Sequence, residues 1–209
     1  MIDRRIVGMY ESNCYLYACS ETKKGVVIDP GAYGKEIHRW LSETGIKIEY
    51  ILLTHGHVDH IGGVDELKDL LDGVKVGIHA GDADMLVSAK KNQSLLVGFN
   101  LVQKAADIML EDGQVIEVGK QKLKVISTPG HSPGSVCFLT SEGLFSGDTL
   151  FEGSIGRTDF PGGSLPQLLS GVKEKILIMP DETPVFPGHG GATTVGQEKL
   201  YNPFLKYPY

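Results

Sequence analysis

Four side chains able to bind a metal, His55, His57, Asp59 and His60, fall within six positions of the stretch LLTHGHVDHIGG (52–63). A structural zinc takes four ligands in all, usually from separated parts of the chain. A loop this crowded fits two divalent ions that share it, one drawing on His55 and His57 and the other on Asp59 and His60. Each ion then needs ligands from elsewhere, and the sequence offers His131 in STPGHSPGS, Asp148 in LFSGDTLF and His189 in VFPGHGG. All three end an apolar, strand-like run and have glycine beside them, which lets the backbone turn sharply and deliver a side chain to a cluster. Imidazole and carboxylate without thiolate suit catalytic zinc, iron or manganese better than a structural zinc. Two such ions, about 3.5–4 Å apart, lower the pKa of a shared water towards ~7 and hold hydroxide ready to attack a carbonyl. One metal then stabilises the oxyanion that develops. No serine nucleophile elbow and no Cys–His arrangement competes with this chemistry.

The elements that must position these residues are short. RRIVGM, CYLYAC and GVVID read as strands, and GKEIHRWLSETG (34–45) as a helix with Ile37, Trp40, Leu41 and Thr44 at helical spacing. His38 falls on the polar side of that helix and reads as a surface residue. YILLT (50–54) is a continuous apolar run of the kind buried on both faces, and it delivers the histidine-rich loop. A helix over VDELKDLLDG, a strand over VKVGIHA and a helix near 82–91 follow. His79, ending that strand, reads as structural, and so does Asp29 in VVIDPG. Residues 94–108 lack periodicity and read as loop with room for one turn of helix. Hairpins are expected over 114–128 and 135–149, the second turning at Ser141–Gly143, then a helix near 164–178 and a strand over TPVFPG. Two halves of this kind predict an α/β fold of two packed sheets with helices outside. LLTHGH and ISTPGH both end an apolar strand in Thr-X-Gly-His, a faint internal echo.

At 209 residues the chain reads as one domain, 1–209, able to bury roughly 70–75% of its unfolded surface. A net charge of −6, with no Lys/Arg run longer than two, argues against a nucleic-acid partner. There is no apolar leader and no span of eighteen apolar residues, so no membrane partner is expected. Cys14, Cys19 and Cys137, an odd number in apolar surroundings without basic neighbours, read as buried reduced thiols, which suits a cytoplasmic location.

THGHVDH, with GH at 130–131, GDT at 147–149 and GH at 188–189, resembles the metallo-β-lactamase-fold hydrolases over essentially the whole chain. Within them it is most similar to the short members of the glyoxalase II (hydroxyacylglutathione hydrolase) group, through GDTLFEGSIGRTDFPGGS and NPFL. The resemblance implies a four-layer αβ/βα sandwich with metals along one edge. It implies His55, His57 and His131 around one ion, Asp59, His60 and His189 around the other, and Asp148 bridging them. Zinc is the expected metal, and iron or manganese would also suit these ligands. Asp59 and Asp148 are the catalytic candidates. A thiolate-using metallo-β-lactamase would show Cys near 148, and a flavodiiron protein would show glutamate for the second loop histidine.

The implied reaction is hydrolysis of S-acylglutathione-like thioesters by a metal-bridging hydroxide. Arg157 matches a basic substrate-binding position, whereas Asp159 stands where tyrosine is common, and Gly190–Gly191 replace an acidic–aromatic pair. Only twenty residues follow His189, so the C-terminal helical domain that supplies basic residues to glutathione is expected to be missing. The alternatives are a mononuclear iron persulfide dioxygenase, which shares GRTDF, a lactonase, and a non-catalytic metal-binding module. The dioxygenases carry Ala-His-Asp-Tyr where this chain has PGHGG, and degenerate modules lose ligands, whereas this chain keeps all seven.

Overall fold

Side chains alternate between the two faces of a strand, and that period sorts this core into layers. The computed structural model describes residues 1–206. Its first sheet runs in sequence order through β1 (Ile2–Val7), β2 (Ser12–Cys19), β3 (Lys24–Ile28), β4 (Lys47–Leu52), β5 (Lys75–His79) and β6 (Ile108–Leu110). The first two pairings are antiparallel and the rest parallel. In β2, Tyr15 and Tyr17 face one apolar cluster while Cys14, Leu16 and Ala18 face another; in β3, Val26 and Ile28 part from Val27 in the same way.

The second sheet contains β7 (Val115–Val118), β8 (Gln121–Ser127), β9 (Val136–Thr140) and β10 (Gly143–Gly147). A two-stranded hairpin, β11 (Leu150–Phe151) and β12 (Ser154–Ile155), follows it. Then β13 (Pro184–Pro187) and β14 (Thr193–Thr194) complete the order β14-β13-β10-β9-β8-β7. Val136, Phe138 and Phe145 meet Tyr15, Tyr17 and Leu52 between the sheets. Cys137 and Leu144 point the other way, towards Leu168, Leu169 and Val172.

Among the described residues six α-helices lie among these strands: α1 (Gly34–Thr44), α2 (Val58–Ile61), α3 (Val64–Leu70), α4 (Ala83–Leu86), α5 (Leu165–Gly171) and α6 (Val195–Tyr201). Ile37, Trp40 and Leu41 of α1 and Val64 and Leu67 of α3 cover the outer face of the first sheet, and α5 covers the second. The result is the expected αβ/βα sandwich, with two sheets inside and helices outside. The three cysteines are buried and unpaired. No helix among the described residues is long and apolar enough to cross a membrane.

Two helices are shorter than their sequence predicts: the one expected near 164–178 is α-helical only to Gly171 and continues as a π-helical turn over Val172–Ile176, and the one near 82–91 is shorter still. The pattern over 82–91 stops at Leu86, because the Asn92 side-chain amide donates to the Met85 and Leu101 carbonyls, each at 3.0 Å. Gln93 then turns left-handed at φ 68°.

The candidate site follows from strand direction. Loops leaving β3, β4, β5, β8, β10 and β13 carry Asp29, the 54–60 stretch, Asp82, His131, Asp148 and His189, so six carboxyl ends converge on one edge. Ligand sites in open α/β sheets favour such edges.

Candidate metal centre

The structure brings the seven sequence-selected residues together. Ligand atoms of His55, His57 and His131 lie within 4.8 Å of one another, and so do those of Asp59, His60 and His189; His55, His60 and Asp148 form a third such group joining the two. The orientation of each ring follows from what its other nitrogen touches, since a neutral imidazole has one donor and one acceptor. His131 Nδ1 donates to the Arg157 carbonyl at 2.8 Å, and His189 Nδ1 to the Tyr10 carbonyl at 3.0 Å. His60 Nδ1 donates to Asp29 Oδ2 at 3.0 Å. The Thr54 hydroxyl donates to the same Asp29 oxygen at 2.6 Å and accepts from His55 Nδ1 at 3.1 Å. In all four rings the proton sits on Nδ1, which leaves the Nε2 lone pair aimed into the cluster. His57 is reversed: its Nδ1 faces His131 Nε2 at 2.9 Å.

Lone pairs therefore oppose one another at short range. His131 Nε2 lies 3.2 Å from His55 Nε2, and His60 Nε2 lies 3.3 Å from His189 Nε2. Such contacts repel unless a proton or a metal ion lies between them. Buried Asp148 Oδ1 has no hydrogen-bond partner, as a ligand atom requires. Asp148 also faces both halves, with Oδ1 3.3 Å from His60 Nε2 and Oδ2 3.5 Å from His131 Nε2. The donor set thus fits divalent transition metal ions, and with seven ligands it has the capacity for two.

The local electrostatics agree. Burial, aided by neighbouring imidazoles, pushes His55 well below the usual histidine range and His57 down to about 3, so both are neutral and ligand-ready. Burial alone would lower His60 too, but the Asp148 and Asp59 carboxylates beside it outweigh burial and raise it well above its ordinary value. Those carboxylates demand positive charge there, as a proton or as a metal.

Two carboxylates outside the cluster support it. Asp29 takes the Thr54 backbone N–H at 2.8 Å besides its other two donors, which ties the end of β3 to the start of the histidine loop. Buried Asp82 accepts from Gly56 N at 2.9 Å, Ser132 Oγ and Gly134 N both at 2.6 Å, and so pins the 54–60 loop to the His131 loop. The only sequence signal for Asp82 is an acidic residue just past a strand, the same signal Asp148 gives. His79 merely accepts from Gly81 N at 3.1 Å in a turn, and half-buried His38 lies on α1.

Arg157 reaches the site through its backbone. Its carbonyl holds His131, while its guanidinium forms a two-pronged pair with Asp159, both contacts 2.7 Å, and its Cζ lies 3.9 Å above the Phe160 ring.

Close packing under the loop gives a direct test. A Cβ on Gly31 would lie 1.8 Å from the Asp59 carbonyl oxygen, a distance no side-chain rotation can relieve. Gly31→Ala is expected to cost about 3 kcal/mol in urea unfolding and to lower metal retention together with it. Unchanged values of both would show that the loop yields without effect.

Residues 7–189 match the family model for the metallo-beta-lactamase superfamily, an interval that contains all seven clustered residues. The chain is 38% identical to the probable metallo-hydrolase YqgX of Bacillus subtilis over 97% of this chain and 96% of that one. It is 34% identical to the hydroxyacylglutathione hydrolase GloC of Haemophilus influenzae, covering 95% of each. Among solved structures, BLEG-1 B3 metallo-beta-lactamase superposes with a TM-score of 0.94 at 38% identity, over 99% of this chain and 100% of that one. TTHA1623 in a di-iron-bound form gives 0.86 at 36%, over 97% and 100%. ETHE1 from Myxococcus xanthus gives 0.78 at 25%, over 97% and 83%. The chain belongs to the metallo-beta-lactamase superfamily and is a metal-dependent hydrolase of that family.

Proposed function

We propose that this hydrolase holds two divalent transition metal ions, with His55, His57 and His131 on one, Asp59, His60 and His189 on the other and Asp148 between them, and that it cleaves thioesters. The observation that carries the reading is the orientation of the five rings, whose free nitrogens converge with Asp59 and Asp148 on one volume. Bound ions would supply Lewis acidity towards a carbonyl and an acidic water. The chain's own part is to fix the ligands and to shape the cavity. Asp29 and Thr54 orient His60 and His55, and the Arg157 and Tyr10 carbonyls orient His131 and His189. A cavity of about 650 Å³ opens on His57, Asp59, His131, Asp148 and His189, so a substrate carbonyl can reach the cluster. A thiolate leaving group needs no proton from the protein, which suits an opening walled mainly by apolar side chains.

Two relatives favour different details. Similarity to GloC supports thioester hydrolysis, with S-acylglutathione as one substrate to try, and similarity to the di-iron form of TTHA1623 supports two ions. Zinc is the first expectation and iron the alternative. Likeness to ETHE1 keeps a one-iron persulfide dioxygenase as the second reading.

Elemental analysis of protein grown with zinc, iron and manganese, paired with a thioester panel and an oxygen electrode, separates the readings. The expected result is close to two ions per chain with thioester turnover and no oxygen uptake. A fixed maximum of one iron with oxygen consumed on a persulfide would establish the dioxygenase instead.

A further inference from the structure

The cleft at the metal centre has two arms. The first, about 650 Å³, is walled by Leu96, Val97, Phe151, Ile155 and Phe160. The second, about 520 Å³, is walled by Met9, Tyr33, Phe99 and Leu101. Tyr10, Val58 and Asp59 line both arms, so the two lie side by side at the Asp59 end of the centre. Large apolar side chains stand open to solvent at their rims: Leu96 is 71% exposed, Met9 68% and Phe99 50%. Exposed apolar surface concentrated around a cleft marks something apolar that covers it.

The charges point the same way. Apart from the clustered ligand candidates, Arg157 is the one charged residue lining either arm among the described residues. Its guanidinium is already matched prong for prong by Asp159 and stacked on Phe160. Glutathione carries two carboxylates and needs free cations to hold them. Neither arm presents one.

We infer that the cleft selects an uncharged substrate with apolar groups on both sides of its carbonyl, the acyl chain in one arm and the departing thiol in the other. The inference rests on the thioesterase reading for its chemistry. Water adds its oxygen to the carbonyl carbon, the C–S bond breaks with its electron pair passing to sulfur, and a water proton ends on the thiolate or in solvent. The products are a carboxylic acid and a thiol, with no oxidant or reductant consumed.

The test compares acetyl, butanoyl and hexanoyl thioesters of N-acetylcysteamine with S-lactoylglutathione on the metal-loaded full chain. Removing a methylene from water gains up to about fourfold, so kcat/KM should rise roughly two- to fourfold per added methylene. The hexanoyl compound should exceed S-lactoylglutathione by about tenfold or more. Leu96→Ser and Phe99→Ser should flatten the chain-length dependence. Arg157→Ala should lower neutral and anionic substrates by the same factor, because its charge is engaged with Asp159. A higher kcat/KM for S-lactoylglutathione with no dependence on chain length would overturn the inference and leave the thioesterase reading standing.

A second readout needs no turnover. The neutral fluorophore N-phenyl-1-naphthylamine should bind the wild-type chain, bind about fivefold more weakly to Leu96→Ser and Phe99→Ser, and resist displacement by millimolar glutathione. Failure to bind, or displacement by glutathione, would also overturn the inference. Binding with no thioester hydrolysed would remove the thioesterase reading and support the apolar preference of the cleft.

Discussion

Asp148→Ala is expected to lower kcat by about 1,000-fold or more, ~4 kcal/mol of transition-state stabilisation, and to reduce bound metal from about two ions per chain to one or fewer. The size of the effect follows from position. Its carboxylate faces both halves of the cluster, Oδ1 at 3.3 Å from His60 Nε2 and Oδ2 at 3.5 Å from His131 Nε2 and 3.7 Å from His189 Nε2. Burial alone would push this carboxyl up, yet His60, with His131 and His189, holds it well below the usual carboxylate range. It is therefore ionised where positive charge gathers, and its removal takes away a ligand and a compensating charge together. Asp148→Asn is the informative companion. It keeps the shape and one oxygen but not the charge, so it should retain more metal than alanine and still lose most of the turnover. Plasma emission measurement of metal and steady-state kinetics on one thioester read both quantities. Two ions retained at wild-type turnover in the alanine variant would remove Asp148 from the centre.

What could be read from the sequence, and what could not, divides along a physical line. His55, His57, Asp59, His60, His131, Asp148 and His189 announce themselves because few other roles need imidazole and carboxylate beside glycine at so many strand ends. The sandwich was equally legible, since the apolar runs CYLYAC and SVCFLT and the run YILLT at the end of β4 read as buried strands. The side-chain relay beneath the cluster was not. Asp29 and Thr54 are 25 positions apart and meet only because β3 and β4 pair in parallel, with Ile28 opposite Leu52. Short-range pattern carries no information about that register. Asp82 hid for the same reason, its three donors coming from two distant loops. At Arg157 the salt bridge to Asp159, two residues on, takes up the guanidinium. The helix near 82–91 was cut short at Leu86, where the Asn92 side chain competes for a helical carbonyl.

That hidden relay yields the second large effect. Asp29→Asn is expected to weaken metal binding by roughly 10- to 100-fold while costing little stability, a combination peculiar to its geometry. Asp29 sits at φ 52°, a left-handed conformation that asparagine adopts as readily as aspartate. The backbone should therefore accept the change. The carboxylate, however, receives three donors: Thr54 N at 2.8 Å on Oδ1, and Thr54 Oγ1 at 2.6 Å and His60 Nδ1 at 3.0 Å on Oδ2. Asparagine offers one oxygen and one NH₂ in their place. If the oxygen keeps Thr54 N, the NH₂ faces His60 Nδ1, which must then accept, and the His60 proton moves to Nε2 where a metal would bind. The Thr54 hydroxyl must turn as well, and since it meets His55 Nδ1 at 3.1 Å, it drives that ring towards the same wrong tautomer. The opposite amide orientation leaves the buried Thr54 N–H facing a donor, at about 1–3 kcal/mol. Asp29→Ala separates these effects. It removes every acceptor and adds about 1–2 kcal/mol of left-handed strain, so it should be the less stable variant. Yet it offers His60 no donor and so leaves the ring free to keep its metal-binding tautomer. The expected order is thus Asn above Ala in urea stability, but Ala at or above Asn in metal retained against a competing chelator. If asparagine matches the wild type in both measurements, the relay does not set the tautomers of His55 and His60.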